Sequence, residues 1–380
     1  SCGNCHQAHG WPDAANTAAH YPYLAVDREE NLCYTCHDGS PVTANVRAQF
    51  LKASNHPVST TPSVHVPHES TAAQFSGANR HVECADCHNM HKARPTKHTA
   101  GTNVIAATSP LVGVSGASYA ASATNWTLGT LAFVPDTTGA SFEYQICLKC
   151  HSSWAFGSTP PTGPSGKVET NQALEFNTTN ASYHPVFGAL PATDPGANGS
   201  SRLTAAQLTG GWTPGQTMYC SDCHGNDAAA PAAQGPHGSA VTFILRATRN
   251  ASYTSWGQPF TGSTPTMTNN WTTSFCRNCH PLNEDANWSG NGPHNDHDTR
   301  SAVKGCYNCH ILVPHGGKMS RLIGDNDGAM PARYAYNNVL TNMFVRSFTK
   351  NANPGNYSKS ACQSGSTGCT THNTAATENW

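Results

Sequence analysis

Cys-x-x-Cys-His occurs seven times in this chain, at Cys2/Cys5/His6, Cys33/Cys36/His37, Cys84/Cys87/His88, Cys147/Cys150/His151, Cys220/Cys223/His224, Cys276/Cys279/His280 and Cys306/Cys309/His310. Chance at this composition supplies roughly 0.04 copies. The repeats take up fourteen of the sixteen Cys. Two thiols three residues apart can each add to one vinyl group of a haem, and the imidazole of the next residue then reaches the iron. The motif therefore reads as c-type haem attachment, with its His as proximal ligand, and the set predicts seven covalently bound haem c groups. Zinc knuckles do not explain a His directly after every second Cys, and seven of them cannot pair off. A thioredoxin-like motif occurs once, beside a βαβ pattern that is absent here.

Haem also answers a problem of composition. Leu, Ile, Val and Phe together number 51 of 380 residues, about 13%, below the ~20% that goes with a packed apolar core. Net charge is only −1, whereas charge-driven disorder needs a large imbalance. Porphyrin plates supply the buried apolar surface that the side chains lack. Lys+Arg 21 against Asp+Glu 22 leaves no basic stripe for nucleic acid or a membrane surface. No apolar run approaches the roughly 18 residues of a spanning helix. The opening Ser1-Cys2 reads as an already processed N-terminus.

Each haem iron takes a second axial ligand. Fourteen His remain outside the motifs, enough for bis-His coordination throughout, although His/Met is open to a chain with six Met and would raise the potential. Eight distal candidates stand out by context. His56 and His184 lie in His-Pro-Val steps, where the following Pro holds the residue extended. His237 and His294 share Gly-Pro-His, and His315 lies in Pro-His-Gly-Gly. His9 and His91 fall three residues after a motif His, too close to fold back onto the same iron, so each points to a neighbouring haem. His81 precedes Cys84 by three. His20, His65, His68, His297 and His372 are weaker candidates.

The first Cys positions are separated by 31, 51, 63, 73, 56 and 30 residues, so no solenoid of identical units is expected. Intervals are rich in Gly, Pro, Ser, Thr and Asn, as at Thr159–Pro164 and Asp194–Gly196. Short helices are predicted from an Asp27 cap into Cys33, from Ser141 into Cys147 and over Thr204–Leu208, and short strands over 129–134 and 240–248. The chain divides into a haem-bearing body, 1–316, and a haem-free segment, 317–380. The latter holds Cys362 and Cys369, read as a small disulfide loop; an atypical eighth haem site lacks a His after Cys369. Eight Asn-x-Ser/Thr sequons, at Asn125, Asn177, Asn180, Asn198, Asn250, Asn270, Asn287 and Asn356, are close to the chance number, about six.

One haem per 54 residues or so forces porphyrin edges together, which favours electron hopping over bond chemistry. Multihaem reductases keep one iron open, often with Lys in place of the motif His. All seven motifs here end in His, so no catalytic residue and no enzyme activity is expected. The motif density, Cys-His-x-x-His at His6/His9 and His88/His91, the His-Pro-Val steps and Met319-Ser320-Arg321-Leu322 resemble secreted multihaem cytochromes c, in particular the filament-forming extracellular cytochrome nanowires of metal-reducing microbes. That resemblance implies a mostly irregular fold, with short helices and few short strands, wrapped around a continuous haem stack. It implies head-to-tail homopolymers at the cell surface, upstream outer-surface or periplasmic cytochromes as donors, and acceptors such as metal oxides. One axial His then comes from a neighbouring subunit, for which His9 and His20 are candidates. Tyr334, Tyr336, Phe344, Phe348 and Tyr357 in the C-terminal segment suit an interface, or alternatively a packed cap. A monomeric periplasmic shuttle or conduit subunit has the same motif content.

Overall fold

A Cys-x-x-Cys-His step closes a single helical turn, and that turn recurs along the chain. The amide of the motif His donates to the carbonyl of the first Cys at 2.8 Å for His6, His88 and His280 and at 2.9 Å for His151 and His224. Residues three and four apart share one face of such a turn, so both sulfurs emerge together with the imidazole beside them. The computed structural model describes residues 2–6, 28–60, 65–66, 68–163, 166, 168–192, 203–246, 275–281, 310–324 and 330–335. Its helices are α1 (Glu29–His37), α2 (Cys84–Cys87), α3 (Glu143–Leu148), α4 (Ser153–Phe156) and α5 (Gln172–Glu175). Three of them hold motif cysteines. The strands are β1 (Ser54–Asn55), β2 (Gly116–Ala120), β3 (Thr130–Val134), β4 (Ser182–Tyr183), β5 (Gly238–Ser239) and β6 (Gly316–Gly317). Coil and single 3-10 turns make up the remainder, so the architecture is the mostly irregular one that the sequence predicts.

The strand expected at 129–134 is β3, antiparallel to β2 with Gly116 opposite Val134 and Ala120 opposite Thr130. The helix expected from Ser141 is α3, but Ser141 does not cap it through its side chain. Gln145 Oε1 reaches back to accept from the amides of Ser141, at 2.9 Å, and Phe142, at 3.2 Å. The expected helix over Thr204–Leu208 shrinks to a 3-10 turn, Ala205–Gln207, followed by Gly210 and Gly211 at positive φ. The strand expected over 240–248 does not form. Phe243 and Ile244 sit at φ 65° and 54°, turning the chain so that the Phe243 carbonyl accepts from His224 Nδ1 at 2.8 Å. Asp27 and residues 247–248 lie outside the described residues.

Two stretches of the molecule repeat one design that the irregular motif spacing hides. In the first, β1 pairs with β5, the His56 amide donates to the His237 carbonyl, and Val58 closes a tight turn over Pro57 onto the His56 carbonyl. In the second, β4 pairs with β6, the His184 amide donates to the His315 carbonyl, and Val186 closes the same turn over Pro185. A 3-10 turn with two residues at positive φ follows each, at Thr242–Ile244 and Ser320–Leu322. Each ends in a bridge to a motif His, His224 to Leu245 and His310 to Ile323. His-Pro-Val and Pro-His-Gly are thus two halves of one joint. Gly238 and Gly316 are required in it, because a Cβ there would lie 1.9 Å from the Gln49 or Glu175 carbonyl oxygen.

Among the described residues, apolar side chains form local clusters. Ala117, Tyr144, Leu148, Ala173, Phe176, Val186 and Met218 are buried together beside Cys220 and Cys223, and Val114, Ala140 and Ile146 beside Cys87. Ile311, Met330, Tyr334 and Ala335 make a third group. Tyr334 is therefore inside this chain, in the role of a packed cap. Residues 317–323 also belong to the second joint. Tyr336, Phe344, Phe348, Tyr357, Cys362 and Cys369 lie outside the described residues. Two of the sequons are interior: Asn177 donates to the Thr127 carbonyl and Asn180 to those of Leu174 and Glu175, both side chains fully buried.

Candidate haem centres

Imidazoles from distant parts of the chain face each other in pairs. His6 and His91 have ring centres 6.1 Å apart, His88 and His237 6.1 Å, His56 and His151 6.3 Å, His224 and His315 6.1 Å, and His184 and His280 6.3 Å. Two imidazoles on opposite sides of one iron, each bonded at about 2 Å, have centres about 6.2 Å apart. Every pair joins one motif His to one of the sequence-predicted distal candidates. The residues therefore fit a haem held between two His, and haem c supplies an iron that changes charge without exchanging its ligands.

The second nitrogen of most of these rings is held as such ligation needs. Nδ1 donates to a backbone carbonyl in His56 (Pro236, 2.6 Å), His88 (Pro110, 3.1 Å), His224 (Phe243, 2.8 Å), His280 (Gln207, 3.0 Å) and His310 (Arg321, 3.0 Å). His184 Nδ1 donates to the Pro314 carbonyl. His315 donates instead to the buried Glu175 carboxylate, at 2.6 Å, and His151 faces Glu169 at 3.4 Å. With Nδ1 carrying the proton, Nε2 offers its lone pair. Burial pushes His56, His184 and His224 down to about 4 and His237 to about 3, with the facing imidazole adding to the effect. His88 and His280 shift down for the same first reason. Glu175 stays below the usual carboxylate range despite its burial, because His315 bonds to it and Arg333 lies 3.7 Å away. His237 Nδ1 is buried without a hydrogen-bond partner, an orphan that the polypeptide alone leaves unexplained.

The pairs obey a rule. The fourth and sixth motifs take their facing His from the segment after the motif two earlier, His56 and His184. The first, third and fifth take theirs from the segment after the motif two later, His91, His237 and His315. The joints of β1 with β5 and of β4 with β6 carry both kinds at once. His37 and His310 are not in these five pairs, and His9, His20, His294, His297 and His372 lie outside the described residues, as do Cys306 and Cys309.

Successive motifs are also neighbours in space. The Cys84 and Cys33 thiols are within hydrogen-bond reach of each other, as are those of Cys220 and Cys147, which pushes Cys84 and Cys220 far up. Burial pushes Cys87 up, with smaller contributions from Cys147 and Cys150, and Cys223 up, with smaller ones from Cys279 and Cys276. The second to sixth motifs thus form one contiguous run in sequence order. All twelve described cysteines are free of disulfides. Matching carboxylates brace two of the contacts: Glu29 accepts from the Ala85 amide, and Glu143 from those of Cys220, at 2.6 Å, and Ser221, at 3.1 Å.

The chain covers the described motif cysteines to different extents. Cys2, Cys5 and Cys36 are exposed, whereas the other nine described cysteines are half-buried. Cys2 opens a short 3-10 turn, Cys2–Asn4, that buries no residue, and Cys5 follows it directly. Cys36 lies in the last turn of α1, a helix that buries only Glu30, and its sulfur meets just the neighbouring Thr35 hydroxyl, at 3.9 Å. Cys33, one turn earlier, faces Cys84 instead. A thioether joins the haem at its edge, so the porphyrin itself can cover a sulfur that the chain leaves open.

His81 departs from expectation. No motif His faces it; Nδ1 donates to the Asn79 carbonyl at 2.7 Å and Nε2 meets Glu69 at 3.2 Å, so neither nitrogen is open to iron. His65 shares that surrounding. Their rings are 6.2 Å apart, but carboxylates occupy the space between them. His68 is exposed against Asp136 at 3.0 Å. His98 stacks on Tyr219 at 3.6 Å and meets Asp222 at 3.2 Å. Sequence reasoning passed over Glu69 and Asp86; the one available signal was an Asp inside the third motif, Cys84-Ala85-Asp86-Cys87.

Residues 1–41 match the family model of the doubled CXXCH motif. No curated protein and no solved structure matches the chain. The match supports a multihaem c-type cytochrome. Covalently bound haem c and electron transfer follow from it.

Proposed function

We propose that this chain is a heptahaem cytochrome c that conducts electrons by hopping between haems, as the repeating subunit of an extracellular filament. The observation that carries this reading is the contiguous run of motifs two to six, with paired imidazoles at five motifs. Centres in mutual contact pass electrons along the chain, and an iron with two His ligands offers no position to a substrate. The reading is accordingly of a conductor, with no catalytic residue. Among the described residues no helix is long and apolar enough to cross a membrane.

Head-to-tail assembly of such units is a heterologous contact that does not close and so builds a fibre. The partners are then further copies of this chain, a donor cytochrome at the cell surface and an extracellular acceptor such as a metal oxide. Electron microscopy of the purified, haem-loaded protein at physiological salt tests this. Long uniform fibres with an axial repeat of one subunit and an unbroken haem chain are the expected result. Discrete single-chain particles would replace the filament with a soluble periplasmic shuttle or a conduit subunit.

A further inference from the structure

The buried group His65, Glu69, His81 and Asp86 includes none of the paired imidazoles, and its four donor atoms converge. They all lie within 4.8 Å of one another. His65 Nδ1 is 3.1 Å from Asp86 Oδ1 and 3.2 Å from Glu69 Oε2; His81 Nε2 is 3.2 Å from Glu69 Oε2 and 3.6 Å from Asp86 Oδ1. Charge-assisted hydrogen bonds between imidazolium and carboxylate are shorter, about 2.7–2.9 Å. The edge of a tetrahedron around a metal with bonds of 2.0–2.1 Å is about 3.3–3.4 Å. The four distances lie at or beyond the long end of hydrogen bonds and scatter about the tetrahedral edge.

The surroundings fix each donor. Glu69 Oε1 accepts from the Val66 amide at 2.9 Å, which turns Oε2 inward. Asp86 Oδ2 accepts from the Glu83 amide at 2.8 Å, which turns Oδ1 inward. His81 Nδ1 donates to the Asn79 carbonyl at 2.7 Å, which leaves the Nε2 lone pair facing two carboxylate oxygens. The His65 amide is anchored on Glu83 Oε2 at 2.9 Å. Such outer bonds orient metal ligands. Phe75 stacks on His81 with ring centres 5.4 Å apart and closes the site from one side. Side-chain exposure is 15% for His65, 3% for Glu69, 1% for His81 and 5% for Asp86.

The geometry points to a structural site for one divalent first-row transition metal, of which zinc best matches two imidazole nitrogens and two carboxylate oxygens in a closed tetrahedron. Two carboxylates and two neutral imidazoles balance its charge. Asp86 is the third residue of the third haem motif, and its carbonyl accepts from the buried Lys149 Nζ, inside the fourth motif, at 2.9 Å. The ion thus ties the segment from 65 to 81 to the junction of two haem motifs.

The test uses the haem-loaded full chain, with any affinity tag removed, stripped with a chelator and titrated with ZnCl2. One zinc per chain with sub-micromolar affinity is expected, with a zinc-edge X-ray absorption spectrum of four N/O ligands, two of them imidazole; haem iron does not contribute at that edge. Glu69→Gln and Asp86→Asn keep the side-chain shape, and each should weaken zinc binding about 100-fold or more; Glu69→Gln, outside the haem motifs, should also leave the haem spectrum unchanged. Absence of stoichiometric uptake by the unaltered protein, six-oxygen or thiolate coordination, or undiminished uptake in both variants would overturn the site. If either variant fails to fold, the titration and spectrum of the unaltered protein still decide.

Discussion

A distal imidazole in this chain is defined by what holds its far side. Sequence context placed His56, His91, His184, His237 and His315 among the ligands, and the structure brings each of them opposite a motif His. His81 looked equally eligible by position and is not, because Glu69 and Asp86 come from elsewhere to occupy the space that an iron would need. His98 is spoken for by Tyr219 and Asp222. His237→Ala should therefore remove one sixth ligand from the haem of the third motif. One haem's share of the low-spin electron paramagnetic resonance signal, about one-seventh of the total, should become high-spin. His98→Ala should leave the signal unchanged; a loss of low-spin signal there would break the assignment. The motif residues were legible because thioether chemistry fixes their spacing. Their exposure was not, since nothing in the spacing separates the open Cys5 and Cys36 from the half-buried Cys87 and Cys150. The pairings were hidden too, because a facing His lies up to 149 residues from its motif partner, as for His88 and His237, and no local pattern records that distance.

At the level of elements, the helical turns were legible wherever a haem motif needs one, since the spacing and the His-to-Cys backbone bond are the same requirement. The joints were not legible. Two-residue strands leave no alternation to read, and the stretch 240–248 is apolar enough to imitate a strand while serving as a turn that presents Phe243 O to His224. What makes a joint rigid is the absence of a side chain at Gly238 and Gly316, where the clashing atoms are backbone oxygens that cannot swing aside. Gly238→Ala or Gly316→Ala should separate the paired segments and cost about 2–4 kcal/mol. Thermal unfolding followed in the Soret band should show a lowered midpoint, with the low-spin signal of the haems bearing His56 and His237, or His184 and His315, disturbed first. Gly188→Ala is the comparison: its nearest neighbour would be Thr178 Cγ2 at 3.4 Å, an ordinary contact, and its midpoint should stay within about 1 °C of the parent. Equal effects at all three positions would mean that the joints do not carry the imidazoles.

For the molecule as a whole, the question is what replaces a hydrophobic core. Among the described residues the three apolar clusters are small, and each sits against haem-motif residues or at the joint of β4 with β6. Burying the faces of one porphyrin contributes on the order of 10 kcal/mol, comparable to the entire net stability of an ordinary domain, about 5–15 kcal/mol. Haem is therefore a structural component of this fold before it is a redox centre, and its covalent attachment keeps it from being lost. A chain made without haem attachment has no compensating surface to bury, and the imidazoles of its five facing pairs lose the iron that would sit between them. Such a chain should lack a cooperative thermal transition, and its amides in β1, β4, β5 and β6 should exchange with solvent within seconds to minutes. Exchange protection in those strands equal to that of the haem-loaded protein would show that the polypeptide alone sets the joints. In that event the paired imidazoles would be a preformed scaffold that receives haem, and not a geometry that haem imposes.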